Sequence, residues 1–185
     1  MKKEQVNAGI LQVSFFRTII AWLFISGCSV ILSFSFPHHA SAKTVQVDKV
    51  IVIKQERLLM LMKQGEIFRA YRVALGKKPL GHKKICGDQR TPEGFYVLDS
   101  RNPDSRFYKA IHISYPNDTD VMNAQRLGKQ PGGDIMIHGL PDNLNHLGLL
   151  HRKVDWTDGC IAVTNSEIEE IWQLVPDGTP IEIRP

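Results

Sequence analysis

Cysteine is scarce in this chain, with only Cys28, Cys86 and Cys160 among 185 residues. No Cys-x-x-Cys pair and no His-Glu-x-x-His run occurs, and His82 and His112 have no partner at a ligand-like spacing, so the usual zinc signatures are missing. A dominant charge is missing too. The chain holds 23 basic and 19 acidic residues, with no basic stripe interleaved with aromatics, which excludes a nucleic-acid partner. No internal repeat, low-complexity tract or second domain boundary is visible.

One long apolar run is present, near the N-terminus. Lys2, Lys3 and Arg17 precede a stretch of 19 apolar and small residues from Thr18 to Phe36, and Ala40-Ser41-Ala42 follows. A basic start, an apolar middle and small residues at −3 and −1 form a secretory signal pattern, so residues 1–42 are expected to be a signal peptide cut before Lys43. Two rival readings keep the segment. Ile25-Ser26-Gly27-Cys28 fits a lipobox that would acylate Cys28, and the run is close to the roughly 20 residues that span a bilayer as an uncleaved anchor. All three place the domain outside the cytoplasm, in the periplasm or cell envelope. Any membrane contact would be made through this segment alone.

Residues 43–185 are expected to form one domain, with 20 basic against 18 acidic side chains. An exported domain usually pairs its cysteines, so a Cys86–Cys160 disulfide is one reading. A free Cys160 with chemistry to perform is the other. Alternating apolar residues predict strands over 45–53, 58–62, 67–75, 95–99, 111–115, 134–138, 160–163 and 180–183. Residues 76–90 read as a basic loop and 117–133 as a short helical or irregular excursion. Ile168, Ile171, Trp172 and Val175 repeat at helical spacing, with Thr164 and Glu167 as a capping box and Pro176 and Gly178 as the stop. The class is mainly β with one or two short helices.

Thiol catalysis requires a thiolate, a base beside it, and donors for the oxyanion. Cys160 follows Thr157-Asp158-Gly159, where Gly159 permits a tight turn and close approach of substrate. The N–H groups of Gly159 and Cys160 are candidate oxyanion donors, and Thr157 and Asp158 on the same loop are candidate substrate-binding residues. His138 ends a short apolar strand and is followed by Gly139, which presents it to a cleft. From these residues alone, a catalytic Cys–His pair and a satisfied core pair both stand. His146 and His151 read as solvated loop residues, Trp156 as a packing anchor, Lys77, Lys78, Lys83 and Lys84 as a solvated basic loop, and Asp88 with Arg90 as a structural pair.

Three segments together resemble the YkuD-type L,D-transpeptidases: Gly87-Asp88-Gln89-Arg90-Thr91-Pro92-Glu93-Gly94-Phe95-Tyr96, Pro131-Gly132-Gly133-Asp134-Ile135-Met136-Ile137-His138-Gly139, and Thr157-Asp158-Gly159-Cys160-Ile161. The resemblance implies a β-sandwich with a small helix beside the nucleophile. It implies Cys160 as nucleophile on the diaminopimelate carbonyl of a peptidoglycan stem peptide, His138 as proton acceptor and donor, and the Gly139 carbonyl as the group orienting the imidazole. An amine or water would resolve the thioester, and no metal or organic cofactor is implied; the non-enzymatic alternative is an exported wall-binding module whose Cys160 is oxidised or inert. Asp158 stands where the family usually has a second His, Ala162 where it often has Arg or Asn, and the step from His138 to Cys160 is 22 residues, slightly long. These departures resemble a branch with members that hydrolyse a wall linkage, such as that to an attached lipoprotein.

Overall fold

The computed structural model describes residues 45–185. The expectations for residues 1–42, Cys28 included, lie outside the described residues. Eight strands form one sheet: β1 (Lys49–Ile53), β2 (Leu58–Lys63), β3 (Glu66–Arg72), β4 (Gly94–Ser105), β5 (Tyr108–Ile113), β6 (Met136–His138), β7 (Ile161–Ala162) and β8 (Thr179–Arg184). Their spatial order is β3-β2-β1-β8-β4-β5-β6-β7. Pairing is parallel between β1 and β8 and between β6 and β7, and antiparallel elsewhere.

The sheet curls until its two margins meet. Just past β3, Ala74 exchanges both backbone hydrogen bonds with Ala162 of β7, at 3.0 and 2.9 Å, and Gly76 bridges to Thr157. Curling turns one face inward, and the residues there obey the two-residue period of a strand. Val50 and Val52, Leu59 and Leu61, Ile111 and Ile113, and Ile181 and Ile183 all enter one core cluster. The mainly β expectation holds.

Helix α1 (Asp118–Arg126) occupies the segment read as a helical or irregular excursion, started by an Asn117–Asp120 capping box. Helix α2 (Asn165–Leu174) has the expected Thr164–Glu167 box, and Ile168 and Ile171 drive its apolar side into the core. A 3-10 helix over Asn145–Lys153, with Gly148 breaking its middle, lies in a stretch read only as loop. Strand β4 runs six residues beyond the expected Asp99. Its exposed polar half, Asp99–Ser105, pairs through backbone with β5 and needs no apolar alternation, which is why the sequence pattern hid it.

Candidate active site

Three elements converge on one end of the sheet. In the parallel pair of β6 and β7, Ile137 lies opposite Ile161, and both are fully buried in the core. Strand alternation therefore turns their neighbours, His138 and Cys160, away from the core, and both line a cleft of about 890 Å³. The hairpin turn between β4 and β5 forms another wall through Arg106 and Phe107, and Trp156 and Asp158 close the side next to Cys160.

The imidazole of His138 is fixed from several directions. A carbonyl can only accept, so the 2.7 Å contact between Nδ1 and the Gly139 oxygen places the proton on Nδ1 and leaves Nε2 with its lone pair. Phe107 stacks on the ring at 4.3 Å and Trp156 meets it edge-on at 5.9 Å. Burial pushes the pKa down to about 4. The Gly139 bond opposes that shift, while the charges of His151 and Arg106 add to it. His138 is therefore neutral at physiological pH.

Cys160 is a free thiol, and so is the exposed Cys86, so no disulfide joins them. The Cys160 sulfur lies 3.5 Å from the Asp134 carbonyl. Burial raises the thiol pKa. The Met136 N–H and Arg106 pull it back, whereas Asp134 and Asp158 push it further up. Asp158 itself is exposed and paired with Lys77 at 3.0 Å, an interaction that holds its carboxyl below the usual range.

The loop before Cys160 is built around the buried Thr157 hydroxyl. Thr157 Oγ1 donates to the Cys160 carbonyl at 2.7 Å and accepts the Gly159 N–H at 3.1 Å. Gly159, expected to offer its N–H to an oxyanion, instead uses it to close this turn. The Cys160 N–H has no acceptor among the described residues. At φ +138°, with an added Cβ falling 2.8 Å from the Arg90 carbonyl, position 159 accepts only glycine.

Three expectations are corrected. His151 is buried, not solvated; its Nδ1 accepts the Trp156 indole N–H at 3.5 Å, and burial pushes its pKa down to about 4. His146 is exposed, as read. Trp156 lines the cleft as well as packing there. Asp88 pairs with buried Lys83 at 2.9 Å, so Lys83 is not a solvated lysine, and Asp88 also accepts the backbone N–H of Arg90 at 3.1 Å, the structural pair at the turn as read. Sequence reasoning missed Arg106 and Phe107. They sit in a hairpin turn with no motif around them, and only the return of β5 alongside β6 brings Phe107 to His138.

No cluster of three or more His, Cys, Asp or Glu side chains converges among the described residues. The profile of the L,D-transpeptidase catalytic domain (YkuD) matches residues 47–183. The chain belongs to that family. YafK of Escherichia coli (strain K12) is 36% identical over 130 residues, which cover 67% of this chain and 45% of YafK. Among solved structures, the helical cell shape determining protein Pgp2 (K307A mutant) of Campylobacter jejuni is 33% identical with a TM-score of 0.58, covering 75% of this chain and 47% of that one. Bd1075 of Bdellovibrio bacteriovorus is 25% identical with a TM-score of 0.51, covering 77% and 49%. The chain thus spans about half the length of these relatives. This L,D-transpeptidase domain carries Thr157-Asp158-Gly159-Cys160 on the loop that leads into β7, and His138 on the neighbouring strand.

Proposed function

We propose that this domain acts on peptidoglycan stem peptides by acyl transfer through Cys160. The supporting observation is the placement of a free thiol and an imidazole of fixed tautomer on one cleft at the ends of adjacent strands. His138 Nε2 takes the Sγ proton as the sulfur attacks the diaminopimelate carbonyl. The Cys160 N–H faces the resulting oxyanion. Collapse breaks the bond to the terminal D-alanine, whose amine receives the proton from His138, and a thioester remains. The amine of a second stem then resolves the thioester and returns the thiol.

Water as acceptor is the second reading, and the observation behind it is Asp158, an exposed carboxylate beside Cys160 where the family usually has a second His. The product is then a trimmed tripeptide or a released wall-linked lipoprotein. Export belongs to the same proposal. The intact mass of the protein recovered from cells should match a chain starting at Lys43; lipid on Cys28 or a retained leader would replace that part of it.

The test is incubation of the purified protein with tetrapeptide muropeptides and mass spectrometry of the products. Cross-linked or exchanged peptides mark transpeptidation, and tripeptides alone mark hydrolysis. Cys160→Ala should abolish both. Full turnover by Cys160→Ala would remove the thiol from the mechanism.

A further inference from the structure

Arg106 stands apart from the other arginines of the domain. Arg57, Arg69, Arg101, Arg152 and Arg184 are each bound to a carboxylate. Arg72 and Arg90 donate to carbonyls, and Arg126 donates to Asn123. Arg106 has no ion pair and no side-chain hydrogen bond among the described residues, although it lies on the wall of the cleft that holds Cys160 and His138. Its guanidinium is held over the Phe107 ring at 4.7 Å, and Phe107 in turn stacks on His138 at 4.3 Å. That stack anchors the cation beside the base and leaves its N–H fork unsatisfied.

No other cation in the cleft does this work, and no carboxylate there forms an ion pair with Arg106 among the described residues. Lys83 also lines the cleft, but it is buried against Asp88 and the Ile85 carbonyl. Asp158 is taken by Lys77, and Asp134 makes no ion pair with Arg106. The field of Arg106 nevertheless reaches the reacting groups, since it lowers the pKa of Cys160, His138 and Asp158 alike. A planar, permanently charged fork with free donors, beside a nucleophile and open to the cleft, is a receptor for a carboxylate.

We propose that Arg106 is a specificity-determining residue that binds a carboxylate of the peptide held at Cys160. This rests on the stem-peptide reading above. Two carboxylates lie close to the scissile carbonyl of such a peptide: the C-terminal one on the leaving residue, and the side-chain one on the diaminopimelate. Both offer the same chemistry to the guanidinium, and the experiment separates them.

The measurement is peptide binding by calorimetry to the full chain carrying Cys160→Ala, so that no turnover is needed. The probes are the stem tetrapeptide, its C-terminal amide, and its diaminopimelate side-chain amide. Adding Arg106→Gln should weaken the unmodified peptide roughly tenfold to hundredfold, the range of a charge-assisted bond. Arg106→Lys should recover part of that loss. One amide should bind both proteins equally, and which amide does so names the carboxylate. Equal binding of the unmodified peptide with and without Arg106, the same loss on all three peptides, or no binding with Arg106 intact would each overturn the proposal. An NMR spectrum of His138 that Arg106→Gln leaves unmoved shows that the loss does not come from a shifted Phe107 stack; a moved spectrum with equal loss on all three peptides marks a purely structural arginine. A protein that turns over stem peptides without any dependence on Arg106 sinks this inference and spares the acyl-transfer reading. The opposite result spares the carboxylate contact.

Discussion

At Cys160 and His138, removal from water pushes two groups in opposite directions, because in both cases burial disfavours the charged form. The thiol pKa rises and the imidazole pKa falls to about 4. Transfer of a proton from this thiol to this imidazole is therefore uphill before substrate arrives, and the two groups that share the cleft are both neutral at rest. The consequence is measurable on a Cys86→Ser background, which leaves Cys160 as the described thiol to be read. Its alkylation by iodoacetamide should accelerate with pH through and beyond 9, with no plateau near neutrality. A plateau near pH 7 would show a preformed thiolate–imidazolium pair. His138→Ala should lower turnover about 10²- to 10⁴-fold, the usual contribution of a positioned base.

Among the elements, β6 and α2 set the site by where one ends and the other begins. Gly139 follows β6 at a point where an added Cβ would fall 2.6 Å from Asn165 Oδ1, 3.1 Å from Ile168 and 3.2 Å from the Phe107 carbonyl. Asn165 opens α2, and its Oδ1 accepts the Leu140 N–H at 2.7 Å. Gly139→Ala should therefore push the end of β6 away from α2 and displace the carbonyl that holds His138. Turnover is expected to fall more than tenfold, with a stability loss of about 1–3 kcal/mol from overpacking. Retained turnover in steady-state assays would show that the junction is softer than its packing indicates. The N-terminus of α2 gives a second prediction. Thr164 accepts the Glu167 N–H, and Glu167 returns the bond to the Thr164 N–H. Thr164→Ala should cost about 1 kcal/mol in urea denaturation.

For the whole domain, packing between separate elements buries two histidines in neutral form, His138 against Phe107 and Trp156 and His151 against Trp156. Both His138 and His151 have pKa values pushed down to about 4, against 6.5 for a free imidazole. Between those values the unfolded chain binds more protons than the folded one, so stability is full above about pH 6.5 and is lost as pH falls toward 4. Each histidine contributes at most roughly 3 kcal/mol across that window. Urea midpoints measured at pH 7.5, 5.5 and 4.5 should decline in order. The decline should be shallower in His151→Phe, which keeps an aromatic ring but cannot take up a proton. Midpoints that stay level from 7.5 to 4.5 would contradict the burial of these rings.

Much of this could be read along the chain, since strand alternation, a capping box and a turn glycine are local facts. Thr164 with Glu167 announced α2, paired apolar positions such as Val50 and Val52 announced the strands, and the motifs around His138 and Cys160 marked the family. Tertiary structure decided what depends on distant residues meeting. The polar half of β4 is a strand only because β5 pairs with it. His151 is buried only because the 3-10 helix that carries it brings it against Trp156. Arg106 and Phe107 reach the site only because the hairpin returns β5 alongside β6. The Gly159 N–H is taken by Thr157, a choice settled by backbone direction. Sequence period reports which face of an element is apolar. It does not report which side chains from separate elements come together, and that meeting produces the burial that sets the charge states at this site.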